Sequence, residues 1–321
     1  MINASRKSAS GQAHSKLILM GEHAVVYNEP AIAIPFNTLS VTSIIKPHIG
    51  KVKFISQFFS GDLDQMPEKM QGLVECIKAI CQKLNQSVRD FQIELKSSIP
   101  IGRGLGSSAA IAVSLVRGLY NFFNEKLNHE ALTMFVDLAE KYAHGTPSGI
   151  DREATTHNHP IFFQRNQQVE EVEIGKPLHL VVADTGRIGD THASVASVQQ
   201  QYQQNQHVTK QRIERLGQLT RQARQHLEIG RVKELGQLLD EAHSELRALK
   251  VSDPGLDHYV KVSKAAGALG AKLTGGGRGG CMLALVDSIK QAKIVEAALQ
   301  EAGASQTWYC KVANEVMSYE S

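Results

Sequence analysis

Apolar and polar side chains alternate over residues 91–98. After Ile99-Pro100 and a glycine-rich stretch, the pattern changes to Ile111, Leu115, Leu119 and Phe122, spaced as on one face of a helix. The first pattern predicts a half-buried strand and the second an amphipathic helix. Upstream, the same reading gives a short apolar strand over 16–20 that stops at Gly21, β-branched strands over 31–45 and 51–59, and a helix over 67–84 with Met70, Leu73, Val74, Ile77 and Ile80 inward. Residues 129–144 predict a further helix, with Leu132, Phe135, Val136, Leu138 and Ala139 toward a core and Glu140 near its end.

Downstream, a strand over 178–183 ends at Asp184 and precedes a glutamine-rich helical region from 192 to about 227. Helices over about 231–249 and 253–269 follow, then strands over 271–274 and 281–286, a helix over 288–302 and a last strand over 307–312. The charged stretch over 170–177 precedes a new strand and marks a boundary, which divides the chain into residues 1–174 and 175–321. Residues 1–13 are polar, lack the apolar core of a signal peptide, and read as a frayed tail.

Composition narrows the function. With 42% hydrophobic and 21% charged residues, the chain has the make-up of an ordinary globular protein. A formal net charge of +3, with basic residues dispersed and no interleaved aromatics, argues against a nucleic-acid partner. Cys76, Cys81, Cys281 and Cys310 form no C-x-x-C pair, so they read as reduced structural thiols of a cytoplasmic protein. No run is apolar enough to span a membrane. A homodimer is left open.

The glycine-rich stretch, residues 102–110, lies between a predicted strand and a predicted helix. Glycines let backbone approach an anion closely, and the free N–H groups and dipole of a first helical turn stabilise its charge. Ser107 and Ser108 add hydroxyls suited to phosphate oxygens or Mg²⁺. A plain strand-to-helix turn capped by serines is the competing reading. The lysine of G-x-x-x-x-G-K-[ST] is missing, and neither H-R-D nor D-F-G occurs, which excludes P-loop and protein-kinase sites.

Other stretches are weaker alone. Glu22-His23, just past Gly21, is either a binding edge or a solvated loop. Residues 145–151 must turn, because proline and two glycines cannot continue the preceding helix. Helical spacing therefore cannot bring Glu140 and Asp151 together; the turn would have to do so, and Asp151 taken alone reads as a helix cap. His144, His157 and His159 lack metal-ligand geometry. Gly275, Gly277 and Gly280 match G-x-G-x-x-G, yet a β-rich run follows where a dinucleotide site needs a helix. A glycine hairpin, or close backbone approach to a phosphate, remains.

Taken together, residues 16–27 (KLILMGEHAVVY), 100–110 (PIGRGLGSSAA), 144–151 (HGTPSGID) and 272–281 (KLTGGGRGGC) resemble the GHMP kinase family, in its mevalonate-phosphorylating branch. The resemblance implies a two-part α+β fold, ribosomal-S5-like in its N-terminal part and ferredoxin-like in its C-terminal part. It also implies transfer of a phosphoryl group from ATP to mevalonate, giving 5-phosphomevalonate and ADP. Gly102, Gly104, Leu105, Gly106, Ser107 and Ser108 would wrap the ATP phosphates. Ser108 and Glu140 would hold Mg²⁺, Asp151 would serve as base, and Lys16 would pair with Asp151 and stabilise charge in transfer. Glu22, His23 and Thr191 fall on the substrate side. The chain departs from the family pattern at Asn28, where glycine is common, at His14-Ser15 before the lysine, and at Arg278 in the last glycine motif. Arg278 can offer a forked donor to phosphate oxygens or point into solvent at a hairpin tip.

Overall fold

The computed structural model describes residues 6–144 and 149–314. Strand β1 (Ala9–Met20) leads through a 3-10 turn (Ala24–Tyr27) into the long β2 (Ala31–Lys51), followed by β3 (Lys53–Ile55) and β4 (Ser60–Asp62). Helix α1 (Gln71–Lys83), strand β5 (Arg89–Ser97), and helices α2 (Ser107–Phe123), α3 (His129–His144) and α4 (Ile150–Thr156) come next. The chain continues through β6 (Ile161–Phe163), β7 (Glu170–Glu171), β8 (Leu178–Asp184), α5 (Thr191–Gln204), α6 (Gln206–Glu228), α7 (Val232–Ala248) and α8 (Pro254–Ala265). It closes with β9 (Gly270–Thr274), β10 (Cys281–Val286), α9 (Ile289–Glu301) and β11 (Gln306–Val312).

These elements form two compact units, each built from several stretches of chain. One contains residues up to Ser15, Leu39–Pro100 and Gly106–Thr156; the other contains Lys16–Thr38, Ile101–Leu105 and the chain from His157. Both β1 and β2 begin in one unit and end in the other.

In the first unit the strand order is β4-β3-β5-β2, with β3 parallel to β5 and the other neighbours antiparallel. Phe91 and Ile93 of β5 are fully buried, as the period-2 pattern requires, and Phe91 packs on Phe122 and Phe123 of α2. The N-terminal segment is not frayed through residue 13, because β1 starts at Ala9. Polar residues enter the strand because α2 binds their backbone: Asn121 Nδ2 donates to the Ser10 carbonyl and Arg117 Nη1 to the Gln12 carbonyl, both at 2.8 Å. Gly11 lies against the backbone of Ser114 and Gly118, where any Cβ would collide.

In the second unit, the start of β2 pairs with β6, and β6 with β7. A separate antiparallel sheet has the order β11-β8-β10-β9. In chain order this is 4-1-3-2, with α5 to α8 between the first two strands and α9 between the last two. That is the split βαβ arrangement of a ferredoxin-like fold. Every residue of β9 and β10 is buried. The glutamine-rich helical region consists of two helices. Asn205, at φ −143° and ψ 68°, ends α5 and starts α6, in keeping with asparagine's preference for helix termini. All four cysteines are buried and free. Among the described residues, no helix is long and apolar enough to cross a membrane.

Candidate functional site

The first unit contains the N-terminus of α2 and the carboxylates of Glu140 and Asp151. Helix α2 starts from Gly106, whose φ of 73° is left-handed, and no side chain caps it. The serines therefore do not cap the turn, and the N–H groups of the first turn are left suited to an anion. Ser107 Oγ is buried without a hydrogen-bond partner. Ser108 Oγ donates instead to Oε1 of Glu140, at 2.5 Å, and Glu140 is only 3% exposed. A hydroxyl and a carboxylate in contact supply two hard oxygen donors of the kind Mg²⁺ takes. Among the described residues no cluster of three or more His, Cys, Asp or Glu side chains could hold a metal. An Mg²⁺ here would complete its shell with nucleotide phosphates and water, which fits the donors present.

The turn expected over 145–151 lies largely outside the described residues, since 145–148 are not among them. Asp151 is described: it sits inside the first turn of α4, one position past Ile150, rather than at a cap. Thr155 Oγ1 donates to its carbonyl at 2.8 Å. Helix α4 is fixed to α3 by Arg152, which donates to Asp137 of α3 and, through Nη2 at 2.6 Å, to Glu153. Burial pushes the Asp137 carboxyl up, and the Arg152 guanidinium opposes that shift.

The second unit contains the front of the glycine loop and the end of β1. Gly102 accepts from the Gly189 N–H at 2.8 Å, and Leu105 accepts from the Lys16 N–H at 3.2 Å. Between them, Arg103 donates through Nε to Asp184 at the end of β8, and through Nη2 to the Gly186 carbonyl, both at 2.9 Å. Gly104 faces Gly275 backbone to backbone. A Cβ on Gly275 would lie 2.8 Å from the Gly104 Cα, and both residues have φ near +75° to +80°. The 275–280 glycines thus allow close approach to the first glycine loop within this unit.

Lys16 is 1% exposed, and the strand that carries it is held by Thr274 of β9. The Thr274 hydroxyl donates to the Ile18 carbonyl at 3.0 Å and accepts from the Ile18 N–H at 3.1 Å. Lys16 belongs to this unit and Asp151 to the other. Glu22, expected on a binding edge or a solvated loop, is 1% exposed, and Nζ of the fully buried Lys272 donates to its Oε1. His23 is also buried. Its Nε2 donates to the Gly276 carbonyl at 3.0 Å, so Nδ1 carries the lone pair. Burial pulls the His23 imidazole down to about 4, keeping it neutral. Its φ of 62° is a left-handed conformation that a non-glycine residue adopts at a cost.

Thr191 opens α5 and is exposed, and its Oγ1 would lie 2.5 Å from a Cβ at Gly276. Glu22, His23, Thr191 and the 275–280 glycines are therefore neighbours in one unit. Arg278 does not point into solvent. Its Nε donates to the Lys250 carbonyl at 3.1 Å and its Nη2 to Ser197 Oγ of α5 at 2.7 Å. Two of the departures, Asn28 and Arg278, take a positive φ, 66° and 53° respectively. Lys272, Arg103 and Asp184 were not singled out by their sequence positions. The one available signal was a lysine inside the apolar run Gly-Ala-Lys-Leu-Thr, which a buried strand tolerates only if the charge is paired.

The GHMP kinases N terminal domain model matches residues 72–158, and the GHMP kinases C terminal model matches residues 219–305. The chain is 31% identical over 306 residues to a mevalonate kinase of Pyrococcus furiosus, a match covering 89% of this chain and 91% of that one. A solved mevalonate kinase from methicillin-resistant Staphylococcus aureus is 31% identical, with a TM-score of 0.69 over 95% of this chain and 98% of that one. The L. major mevalonate kinase, solved in complex with R-mevalonate, is 25% identical and superposes with a TM-score of 0.83 over 98% and 99% of the two chains.

Proposed function

Since this chain belongs to the GHMP kinase family, we propose that it transfers the γ-phosphoryl group of ATP to the 5-hydroxyl of mevalonate, releasing 5-phosphomevalonate and ADP. The observation that carries the chemistry is the Ser108–Glu140 contact beside the uncapped start of α2. Phosphoryl transfer requires positioned phosphates, offset negative charge and an oriented nucleophile, and little covalent work from the protein. In this reading the N–H groups from Gly106 onward and the Ser107 hydroxyl bind phosphate oxygens, with Gly102, Gly104 and Leu105 shaping the loop. Ser108 and Glu140 hold Mg²⁺, which when bound neutralises charge on the nucleotide's phosphate oxygens.

Asp151 accepts the proton of the attacking hydroxyl, and Lys16 stabilises charge during transfer. On the acceptor side, Glu22 offers a buried carboxylate and His23 a neutral imidazole, while Thr191 adds an exposed hydroxyl. Coupled ADP release measured over mevalonate, homoserine, galactose and phosphomevalonate tests the assignment. Highest kcat/KM with mevalonate is expected. Preference for another alcohol would overturn the substrate, and no turnover with any would overturn the reaction.

A further inference from the structure

Glu22 and Lys272 are both sealed from solvent, at 1% and 0% exposure, and they touch. Lys272 reaches Glu22 from β9, and its Nζ uses a second donor on the Leu273 carbonyl at 2.8 Å. Only Oε1 of Glu22 is engaged; Oε2 is buried and has no hydrogen-bond partner. The next residue repeats the situation. His23 spends Nε2 on the Gly276 carbonyl, and its Nδ1 is likewise buried without a partner. Two adjacent residues thus each present one satisfied and one unsatisfied polar atom. Both unsatisfied atoms are acceptors, provided Glu22 is ionised and His23 neutral. Leaving buried polar atoms unpaired costs stability, so a ligand that supplies donors recovers it on binding.

We propose that Lys272 is a positioning residue that keeps Glu22 a carboxylate and turns its free oxygen, together with Nδ1 of His23, toward hydroxyl donors of the acceptor alcohol. The assignment rests on the reading of Glu22 and His23 as acceptor-side residues. Lys272 itself touches no substrate; it acts through Glu22. The Glu22 carboxyl is raised on balance: burial drives it up toward its neutral form, and the Lys272 ammonium is the leading influence against that, with Lys16 of β1 a smaller one. Burial likewise pulls Lys272 down and Glu22 opposes it, so each charge depends on the other. The charges facing His23 are Lys272 and Arg278, and both favour its neutral form. A protonated Glu22 would turn one acceptor into a donor and mismatch a hydroxyl-bearing ligand.

The test is a double-mutant cycle of Lys272→Met and Glu22→Gln, each assayed for kcat and for KM of alcohol and of ATP between pH 7 and pH 9. The alcohol is whichever one the wild-type enzyme phosphorylates, so a wrong acceptor overturns the proposed substrate without deciding about Lys272. At pH 7, Lys272→Met is expected to raise the alcohol KM by about tenfold or more, the loss typical of a hydrogen bond to a charged group, with the ATP KM within about twofold. Removing the ammonium raises the Glu22 pKa further, so the defect should shrink as pH rises and the carboxyl ionises. In the Glu22→Gln background the same change should move the alcohol KM by less than about twofold. A defect of equal size in both backgrounds, an equal rise in both KM values, or a defect constant with pH would overturn the proposal. Lys272→Met leaves a buried carboxylate unpaired and can fail to fold, whereas the double variant removes both charges. In that case the Glu22→Gln and double variants decide alone: an alcohol KM differing between them by more than about threefold overturns it. A ¹³C-glutamate spectrum gives a readout independent of substrate. Glu22 must stay ionised at pH 7 in the wild-type enzyme, and a protonated signal there would overturn the proposal.

Discussion

Ser108 Oγ, in the first turn of α2, donates to Oε1 of Glu140, in the last turns of α3, at 2.5 Å. Thirty-two residues separate them in sequence, and the contact exists because α2 and α3 pack against each other within one unit. If these two oxygens hold Mg²⁺, Ser108→Ala and Glu140→Gln each remove one hard donor and leave the helices in place. Each variant should need a higher Mg²⁺ concentration for half-maximal rate, Glu140→Gln more so, since it also removes a charge. Mg²⁺ titrations superimposable on the wild-type curve would take both residues out of the metal shell.

Asp151 occupies the first turn of α4, a helix clamped to α3 by Arg152. Asp151→Asn preserves shape and removes the proton acceptor. The kcat should drop by about 10²–10⁴-fold, the usual contribution of a general base, while ATP affinity changes little. Single-turnover kinetics on the folded variant check this. A kcat near that of the wild-type enzyme would make Asp151 structural.

Two buried histidines give the fold a pH dependence of defined sign. Burial holds both His23 and His243 at about 4, below the ordinary 6.5. Between those values the unfolded chain binds more protons than the folded one, so stability rises with pH through that window and is lost as pH falls through it. Each histidine should cost on the order of 1–2 kcal/mol on going from pH 7 to pH 5. His243 has Nε2–H donating to Asp257 at 3.2 Å and Nδ1 accepting from the Leu273 N–H of β9 at 3.4 Å. Denaturant unfolding of His243→Gln should therefore show a smaller loss between pH 7 and pH 5 than the wild-type protein. An identical loss would remove His243 from the account.

Arg278 joins the 275–280 loop to Ser197 of α5 and to the Lys250 carbonyl just beyond α7. Arg278→Ala keeps a Cβ at the same positive φ, so it isolates the guanidinium contacts from backbone relief. It should lower stability by about 1 kcal/mol and leave the ATP KM within about twofold, even at low ionic strength. Arg278→Lys should recover only part, because a single ammonium cannot serve both acceptors in the fork's geometry. A severalfold rise in ATP KM for Arg278→Ala would instead return the guanidinium to the phosphates.

Periodicity determined most of the elements, because side-chain burial on a strand or helix face is a local property of the chain. The helix over 129–144, the strand ending at Asp184 and the glycine-linked pair of β9 and β10 all follow from it. The four motifs likewise contained the family assignment, since glycine, serine and carboxylate spacing is set by the phosphate chemistry they serve. Sequence could not decide which contacts non-neighbouring residues make. Residues 9–13 read as a polar tail, yet they form strand because α2 supplies donors to their carbonyls and a close seat for Gly11. Lys272 carries no local sign that its partner is Glu22, 250 residues away, because a buried charge is paired by whatever the fold brings to it. The passage of the chain between two units, at 15–16, 38–39, 100–101, 105–106 and 156–157, is also a tertiary matter, because compactness depends on contacts that no single stretch of sequence contains.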